Sequence, residues 1–217
     1  MPRTILWVYA IVTIVNLSAN FLPYPELEQF SKPLLMPLLI FYVYRSSIGN
    51  TTKKVLLLNV ALLFSWLGDV VLMYQENEMY FIAGIGLFLV AQITFVIVLR
   101  KATYQQPQLN VMSLLPFLIY GGLLFYVLLP AGDFTVPIIV YGLVILAMTY
   151  SAYQRRNLTS KESFQWAFLG SVLFVLSDSI LAINAFKTPL PYAGFFIMVT
   201  YCAAQYFLVK GLLEHAD

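Results

Sequence analysis

The chain has 217 residues, of which 61% are hydrophobic and only 10% are charged. Because soluble proteins carry about a quarter of their residues as Asp, Glu, Lys and Arg, this composition excludes a water-soluble globular fold. The net charge of +2, with no basic cluster of more than two adjacent residues, predicts no nucleic acid partner. A single cysteine, Cys202, excludes an intrachain disulfide.

Eight apolar runs follow one another along the chain, and each can form a membrane-spanning helix of about 17 to 25 residues. The sequence therefore predicts an all-α, polytopic membrane protein with one integral membrane domain over residues 1–217. The runs cover residues 4–22, 31–47, 54–74, 79–99, 111–129, 134–153, 164–186 and 191–213. In the second run, Pro33 suits a first helical turn and Pro37 predicts a kink.

The loops between these runs alternate in charge, with ten basic residues on one side of the predicted bundle and two on the other. The larger group comprises Arg3, Arg45, Lys53, Lys54, Arg100, Lys101, Arg155, Arg156, Lys161 and Lys210. The opposite side carries Lys32 and Lys187 beside Glu26, Glu28, Glu76, Glu78 and Asp133. By the positive-inside rule, both termini of this multi-pass protein lie in the cytoplasm, and we expect it in the cell membrane.

A similar aspartate motif occurs in two of the runs. The third run reads Ser65-Trp66-Leu67-Gly68-Asp69, and the seventh reads Phe174-Val175-Leu176-Ser177-Asp178, with 109 positions between the aspartates. The run after each motif carries a glutamine, Gln92 or Gln205. This pattern predicts a 4+4 tandem repeat, residues 1–104 and 105–217, related by an axis along the membrane normal.

Asp69 and Asp178 are the predicted catalytic residues. A charge at mid-bilayer costs about 2.5 to 3.5 kcal/mol, which favours a functional reason for both aspartates. Desolvation and mutual repulsion in one pocket keep one carboxyl group protonated and leave the other ionised, as acid/base catalysis requires. The alternative is that each aspartate only holds its helix in the bundle through a buried hydrogen bond.

Other polar residues share helix faces with the aspartates or lie near their ends. Helical spacing places Ser65 with Asp69, and Tyr201 with Gln205. These positions predict substrate binding by Ser65, Gln92, Tyr201 and Gln205, although interhelical hydrogen bonding explains the glutamines equally well. Lys32 suits a lipid phosphate, and a lysine that only reaches the membrane surface is the alternative.

The sequence offers no ligands for a metal site, because no predicted span contains histidine or a cluster of carboxylates. The GxSxG, HExxH and Walker A motifs do not occur. These observations predict a protein without a metal site and disfavour serine hydrolases and metalloproteases.

Four segments resemble the YhhN-like family, the lysoplasmalogenases. They are Ser31-Lys32-Pro33-Leu34-Leu35-Met36-Pro37-Leu38, Ser65-Trp66-Leu67-Gly68-Asp69-Val70-Val71-Leu72, Phe174-Val175-Leu176-Ser177-Asp178 and Tyr201-Cys202-Ala203-Ala204-Gln205-Tyr206-Phe207-Leu208. The resemblance implies hydrolysis of the vinyl ether bond of a lysophospholipid substrate, which gives a fatty aldehyde and glycerophosphoethanolamine or glycerophosphocholine. It implies no metal or organic cofactor, a phosphate contact at Lys32, and a lipid tail that runs past Gln92 and Gln205.

Two other functional classes fit some of these features. A lipid or proton-coupled small-molecule transporter would also combine duplicated helices with intramembrane carboxylates. An intramembrane aspartyl protease is disfavoured, because the two aspartate motifs are four helices apart. A purely structural subunit would leave both buried acids unexplained.

Overall fold

The structure, a computed structural model, describes residues 2–49 and 52–214. Within these ranges the chain forms eight α-helices and no strand, which confirms the predicted all-helical class. The helices are α1 (Pro2–Ser18), α2 (Glu26–Ser46), α3 (Lys53–Leu72), α4 (Glu78–Lys101), α5 (Val111–Leu128), α6 (Thr135–Tyr153), α7 (Lys161–Phe186) and α8 (Ala193–Leu213). A short 3₁₀ turn, Gly132–Phe134, leads into α6.

Six helices, α3 to α8, are long and apolar enough to cross a membrane. The chain is therefore a multi-pass membrane protein. α1 is apolar but shorter, and α2 carries four charged residues, Glu26, Glu28, Lys32 and Arg45. Crossing by α1 and α2, which would make eight spans, stays a prediction, as does the 4+4 repeat.

Acidic side chains gather at the end of the bundle where α2, α4, α6 and α8 begin. We term this end, which carries Glu26, Glu28, Glu76, Glu78 and Asp133, the acidic end, and the opposite end the basic end. Acidic residues in a first helical turn interact favourably with the helix dipole, and Glu26, Glu28 and Glu78 occupy such positions.

α2 begins five residues before its predicted span. Because the helix starts at Glu26, Pro33 lies in the helix interior and the prediction of a first-turn position was wrong. Pro37 also lies inside the helix. A proline has no N–H to donate, so each one leaves the carbonyl four residues earlier without its helical hydrogen bond.

Glycine residues bring two helix pairs into close contact. Between α7 and α8, a Cβ on Gly170 would lie 2.7 Å from the backbone nitrogen of Leu208. Between α3 and α4, a Cβ on Gly68 would lie 2.6 Å from the ring of Phe88. Small residues permit this close approach in membrane bundles, and these two pairs form the largest helix contacts of the described chain. Little free space remains between their helices.

α5 is the least enclosed of the six apolar spans. Only 11% of its 18-residue apolar stretch is buried, against 39% to 50% for the corresponding stretches of the other five spans. It contacts α6 and α7, and these contacts are much smaller than those within the α3–α4 and α7–α8 pairs. The bundle therefore leaves room between α5 and its neighbours.

A buried arginine ties three helices together at the basic end. Arg155 follows α6, is fully buried, and donates to the carbonyl oxygens of Leu99 (3.1 Å) and Ala102 and to Ser163 Oγ (2.6 Å). The Ser163 hydroxyl in turn donates to the carbonyl of Gly211 at 2.6 Å. Burial lowers the pKa of Arg155 to about 10, so the guanidinium stays charged at neutral pH.

Candidate active site

A cavity of about 250 Å³ opens at the acidic end of the bundle. This volume far exceeds the ~15 Å³ that one water molecule needs. Exposed polar side chains, Asn20 and Gln75, line its mouth. The interior is lined mainly by apolar residues of α4 to α8, with both Asp69 and Asp178 in the wall. The cavity is thus polar at its entrance and apolar inside, as a lipid-binding cavity would be.

Asp69 lies in the last turn of α3, three residues before Leu72, which is about 4.5 Å along the helix axis. It is buried, and its Oδ2 accepts a hydrogen bond from the Tyr201 hydroxyl of α8 at 2.8 Å. The Tyr201 ring contacts Phe88 and Phe174 edge to face, with centroid distances of 5.8 and 5.5 Å. These contacts fix the tyrosine, which in turn orients the carboxylate.

Asp178 lies deeper, eight residues before the end of α7, or about 12 Å along the axis. Its Oδ2 accepts a hydrogen bond from the Tyr141 hydroxyl of α6 at 2.5 Å. Counting along the sequence predicts about 7 Å for Asp69 and 12 Å for Asp178. The first depth is smaller in the structure because α3 ends at Leu72.

The structure brings the two aspartates to one cavity and holds them in the same way. Each presents Oδ2 to one tyrosine, and no other hydrogen bond to either carboxyl group is made within the described ranges. Both carboxyl groups line the same cavity. One oxygen of each aspartate, Oδ1, is thus available to a bound molecule.

The cavity wall also contains a charged pair. Lys32 and Glu28, one turn apart on α2, both line the cavity, and Lys32 Nζ lies 3.1 Å from Glu28 Oε1. The Lys32 side chain is only 13% exposed. Lys32 lies on α2, which packs against the α3 helix of Asp69, and both residues line the cavity.

The two glutamines and Ser65 lie behind the cavity wall. Gln205 Nε2 donates to Ser65 Oγ at 3.0 Å and so links α8 to α3, while both residues are fully buried. Gln92 is fully buried beside the Tyr141 hydroxyl, but neither amide atom of Gln92 meets hydrogen-bond geometry. None of the three lines the cavity, so direct substrate contact by them stays a prediction.

The apolar part of the cavity does not follow the predicted path of the lipid tail. Instead of passing Gln92 and Gln205, it extends between α4, α5, α6 and α7. Gln92 and Gln205 are absent from its lining, whereas the loosely held α5 contributes several lining residues. The apolar residues that line this space include Phe88, Gly121, Leu124, Phe125, Gly142, Ile145 and Leu146.

Two site residues, Tyr141 and Glu28, have no predicted role in the sequence analysis. Tyr141 lies in a run of apolar residues, and Glu28 is one of several acidic residues beside α2. One signal for Tyr141 does exist: it follows Lys32 by 109 positions, the separation that also relates Asp178 to Asp69. Alignment of the two predicted repeat halves would therefore pair Tyr141 with Lys32. Each of these residues lies on the helix that precedes an aspartate helix.

The arrangement supports proton transfer at the rim of an apolar chamber. Two carboxyl groups can donate and accept protons, two tyrosines orient them, and a lysine biases their charge. Within residues 2–49 and 52–214, no three His, Cys, Asp or Glu residues gather in a way that could hold a metal ion.

Residues 27–212 match the YhhN family. Lysoplasmalogenase TMEM86B of Sus scrofa is 33% identical over 170 residues, which cover 78% of this chain and 69% of that protein. The human lysoplasmalogenase TMEM86B is 34% identical over 158 residues, covering 73% and 64%. Lysoplasmalogenase TMEM86A of Bos taurus is 30% identical over 164 residues, covering 73% and 65%. This chain thus spans about two thirds of the length of these relatives. No solved structure matches the chain.

Proposed function

This chain belongs to the YhhN family, and we propose that it hydrolyses the vinyl ether bond of lysoplasmalogens with Asp69 and Asp178 as its acid/base pair. The family match and the curated lysoplasmalogenases make the chain an ether hydrolase of a membrane. The products would be a fatty aldehyde and glycerophosphoethanolamine or glycerophosphocholine. The observation that carries the catalytic proposal is the presence of both aspartates in one cavity, each held by a tyrosine.

The charges around the carboxyl groups support different roles for the two aspartates. Lys32 and Asp69 line the cavity from the neighbouring helices α2 and α3, so the ammonium charge favours a carboxylate at Asp69, and two negative charges in one cavity disfavour each other. We therefore assign Asp178 as the general acid and Asp69 as the base. The Tyr141 hydroxyl would stabilise the carboxylate that Asp178 becomes after it gives up its proton.

The reaction begins when Asp178 protonates the β-carbon of the vinyl ether, which converts the double bond into an oxocarbenium ion. The ionised Asp69 stabilises this cation and then takes a proton from the water that attacks it, as in the carboxyl pairs of glycosidases. The resulting hemiacetal collapses. Asp69 returns its proton to the departing glycerol oxygen while Asp178 accepts the hemiacetal hydroxyl proton, so both groups regain their starting states.

The lipid fits the cavity in one orientation. The polar headgroup would lie at the mouth, beside Lys32, because the exposed polar residues line that end. The vinyl ether directly below the glycerol would then reach the aspartates. The hydrocarbon tail would occupy the apolar space between α5 and α6.

Substitution of each aspartate tests the catalytic proposal. We expect Asp69→Asn and Asp178→Asn each to lose aldehyde release by more than about a hundredfold, the usual contribution of a general acid or base. Asp133→Asn, an exposed residue at the same end of the bundle, is the matched control. The assay is aldehyde release by purified protein in detergent, with size-exclusion profiles to verify folding. Full activity in either aspartate variant would remove the acid/base assignment.

The same assay separates an enzyme from a lipid or proton-coupled transporter, which would also suit intramembrane carboxylates. A transporter moves its substrate unchanged, so purified wild-type protein would release no aldehyde. Release of both products in equal amounts supports the hydrolase.

We also propose that all eight helices cross the cell membrane, with both termini in the cytoplasm. The ten basic residues at one end support this orientation through the positive-inside rule. In a Cys202→Ala background, which lacks other cysteines, single cysteines in place of Glu76 and Lys53 report the two ends. An impermeant maleimide should label intact cells at position 76 only; labelling at position 53 would contradict the orientation.

The proposed 4+4 repeat gains support from equal sequence separations. Lys32 and Tyr141 are 109 positions apart, as are Asp69 and Asp178. Lys32 lines the cavity together with Asp69, and Tyr141 binds Asp178 through a hydrogen bond. Each half thus contributes one aspartate and one polar partner from the preceding helix.

A further inference from the structure

The ion pair at the cavity mouth has an unusual position for two charged neighbours on a helix. Pairs four residues apart on exposed helix faces contribute little to stability and need no further function. Here, however, Glu28 and Lys32 both line the cavity, and the Lys32 side chain is only 13% exposed. The Glu28 side chain is 48% exposed, so its carboxylate faces the mouth while Lys32 lies further in.

The order of these charges matches the order of charges in a zwitterionic headgroup. A molecule whose tail enters the cavity presents its phosphate before its terminal ammonium, with only two carbons between them in ethanolamine and choline esters. Glu28 lies two residues and Lys32 six residues from the start of α2, about 3 and 9 Å from the acidic end, so from the mouth inward the cavity offers Glu28 first and Lys32 next. Asn20 and Gln75 add hydrogen-bonding groups at the same mouth.

We infer that Glu28 and Lys32 form a headgroup site that selects zwitterionic lysophospholipids, with Lys32 at the phosphate and Glu28 at the ammonium group. This inference rests on the proposed function, because it assigns a part of the substrate to each charge. Glu28 acts on specificity only and takes no part in proton transfer. A headgroup with a second negative charge or a neutral polyol in place of the ammonium would lose the contact with Glu28.

A binding experiment tests the inference without requiring catalysis. The probes are saturated alkyl ether lysophospholipids with ethanolamine, choline or glycerol headgroups, which have no vinyl ether bond to hydrolyse. We expect wild-type protein in detergent to bind the ethanolamine and choline lipids about tenfold more tightly than the glycerol lipid, and Glu28→Gln to remove this preference. Tenfold corresponds to about 1.4 kcal/mol, a reasonable value for one partly desolvated ion pair, which choline can form although it has no N–H.

A neighbouring glutamate supplies the control. Glu26 lies on the same first turns of α2 but does not line the cavity, so Glu26→Gln should leave the headgroup preference unchanged. If Glu28 only held Lys32 in place, Glu28→Gln would weaken the binding of all three lipids equally, and the inference would be overturned. Equal binding of all three lipids by wild-type protein would overturn it as well.

Aldehyde release from the corresponding vinyl ether lipids distinguishes failure of this inference from failure of the proposed function. Suppose that the wild-type protein shows the headgroup preference and Glu28→Gln removes it, but no aldehyde is released. The headgroup site would then be supported and the hydrolase activity would be contradicted. If the wild-type protein releases aldehyde equally well from lipids with all three headgroups, the hydrolase activity would be supported and the headgroup site would be contradicted.

Discussion

The indole N–H of Trp66 donates a 2.8 Å hydrogen bond to the carbonyl oxygen of Pro33. In an uninterrupted helix this carbonyl would accept from the backbone N–H of residue 37, but residue 37 is a proline. Trp66 of α3 therefore satisfies the acceptor that Pro37 leaves open in α2. The bond joins the turn of Lys32 to the turn that precedes Asp69, and so fixes the distance between two residues of the candidate site.

Replacement of this tryptophan should destabilise the protein. Trp66→Phe keeps most of the ring but leaves the Pro33 carbonyl without a partner, at a cost of about 1–2 kcal/mol for an interhelical hydrogen bond. We expect a thermal midpoint several degrees lower in detergent. Trp7→Phe, at a side chain that is 72% exposed, should leave the midpoint unchanged.

A double variant tests why the bond exists. Pro37→Ala restores a backbone N–H that can bond to Pro33, so Trp66→Phe should cost clearly less in that background than in the wild type. Equal costs of Trp66→Phe in the two backgrounds would mean that the indole does not compensate for the missing N–H.

The tyrosines that hold the aspartates should matter for turnover rather than for folding. Tyr201→Phe removes a donor to Asp69, and Tyr141→Phe removes the donor that stabilises the carboxylate formed on Asp178. Hydrogen bonds to charged groups are worth about 1.5–3 kcal/mol, so kcat should fall by about 10- to 100-fold. Steady-state aldehyde release measures this effect.

Tyr150→Phe is the matched control on α6. Its hydroxyl bonds to the Asn110 backbone at the other end of the bundle, far from both aspartates. Its kcat should match that of the wild type. If all three tyrosine variants lost activity equally, a general packing defect rather than the orientation of the carboxyl groups would explain the result.

Hydropathy and charge predicted the helical class, and the cost of buried acids singled out Asp69 and Asp178 before any contact was known. The sequence did not reveal the hydrogen-bond partners of these two aspartates. Tyr141 is an ordinary aromatic residue until tertiary packing brings its hydroxyl to Asp178, and Tyr201, which was predicted to bind substrate, is seen to bond to Asp69 only in the structure. The start of α2 was predicted too late because acidic residues and prolines are typical of loops. In the structure, the helix dipole stabilises the acidic residues of the first turn, and Trp66 bonds to the carbonyl that Pro37 leaves open. Likewise, hydropathy could not show that the cavity extends along α5 and not past Gln92.

Arg155 should be more important for stability than for activity. A lysine carries the charge but cannot reach the carbonyls of α4 and Ser163 together. Arg155→Lys should therefore lower the free energy of unfolding by about 2–4 kcal/mol, because it leaves buried polar groups unsatisfied. The thermal midpoint of purified protein measures this loss, and Arg156→Lys, at an exposed neighbour, is the control. Activity per folded molecule should stay near that of the wild type, because Arg155 lies at the basic end. Unchanged stability of Arg155→Lys would show that one point charge suffices there.

Gly142 should control the access of long hydrocarbon tails to the apolar part of the cavity. It lines the space between α5 and α6, and a Cβ at this position would lie 2.7 Å from the ring of Phe125. A bulky side chain must therefore displace that ring or fill the cavity. We expect Gly142→Leu to lower kcat/KM for long-chain lysoplasmalogens about tenfold more than for short-chain ones, within the range of steric discrimination by apolar pockets.

The control for this effect is Gly122 on α5, where a Cβ would meet nothing within 4 Å. Gly122→Leu should leave the ratio of long-chain to short-chain activity unchanged. Since α5 is held by only small contacts with α6 and α7, the same variants also test whether the helix can move aside. If Gly142→Leu left the chain-length ratio unchanged, α5 would yield to the added side chain, and the path of the tail would not be set by this glycine.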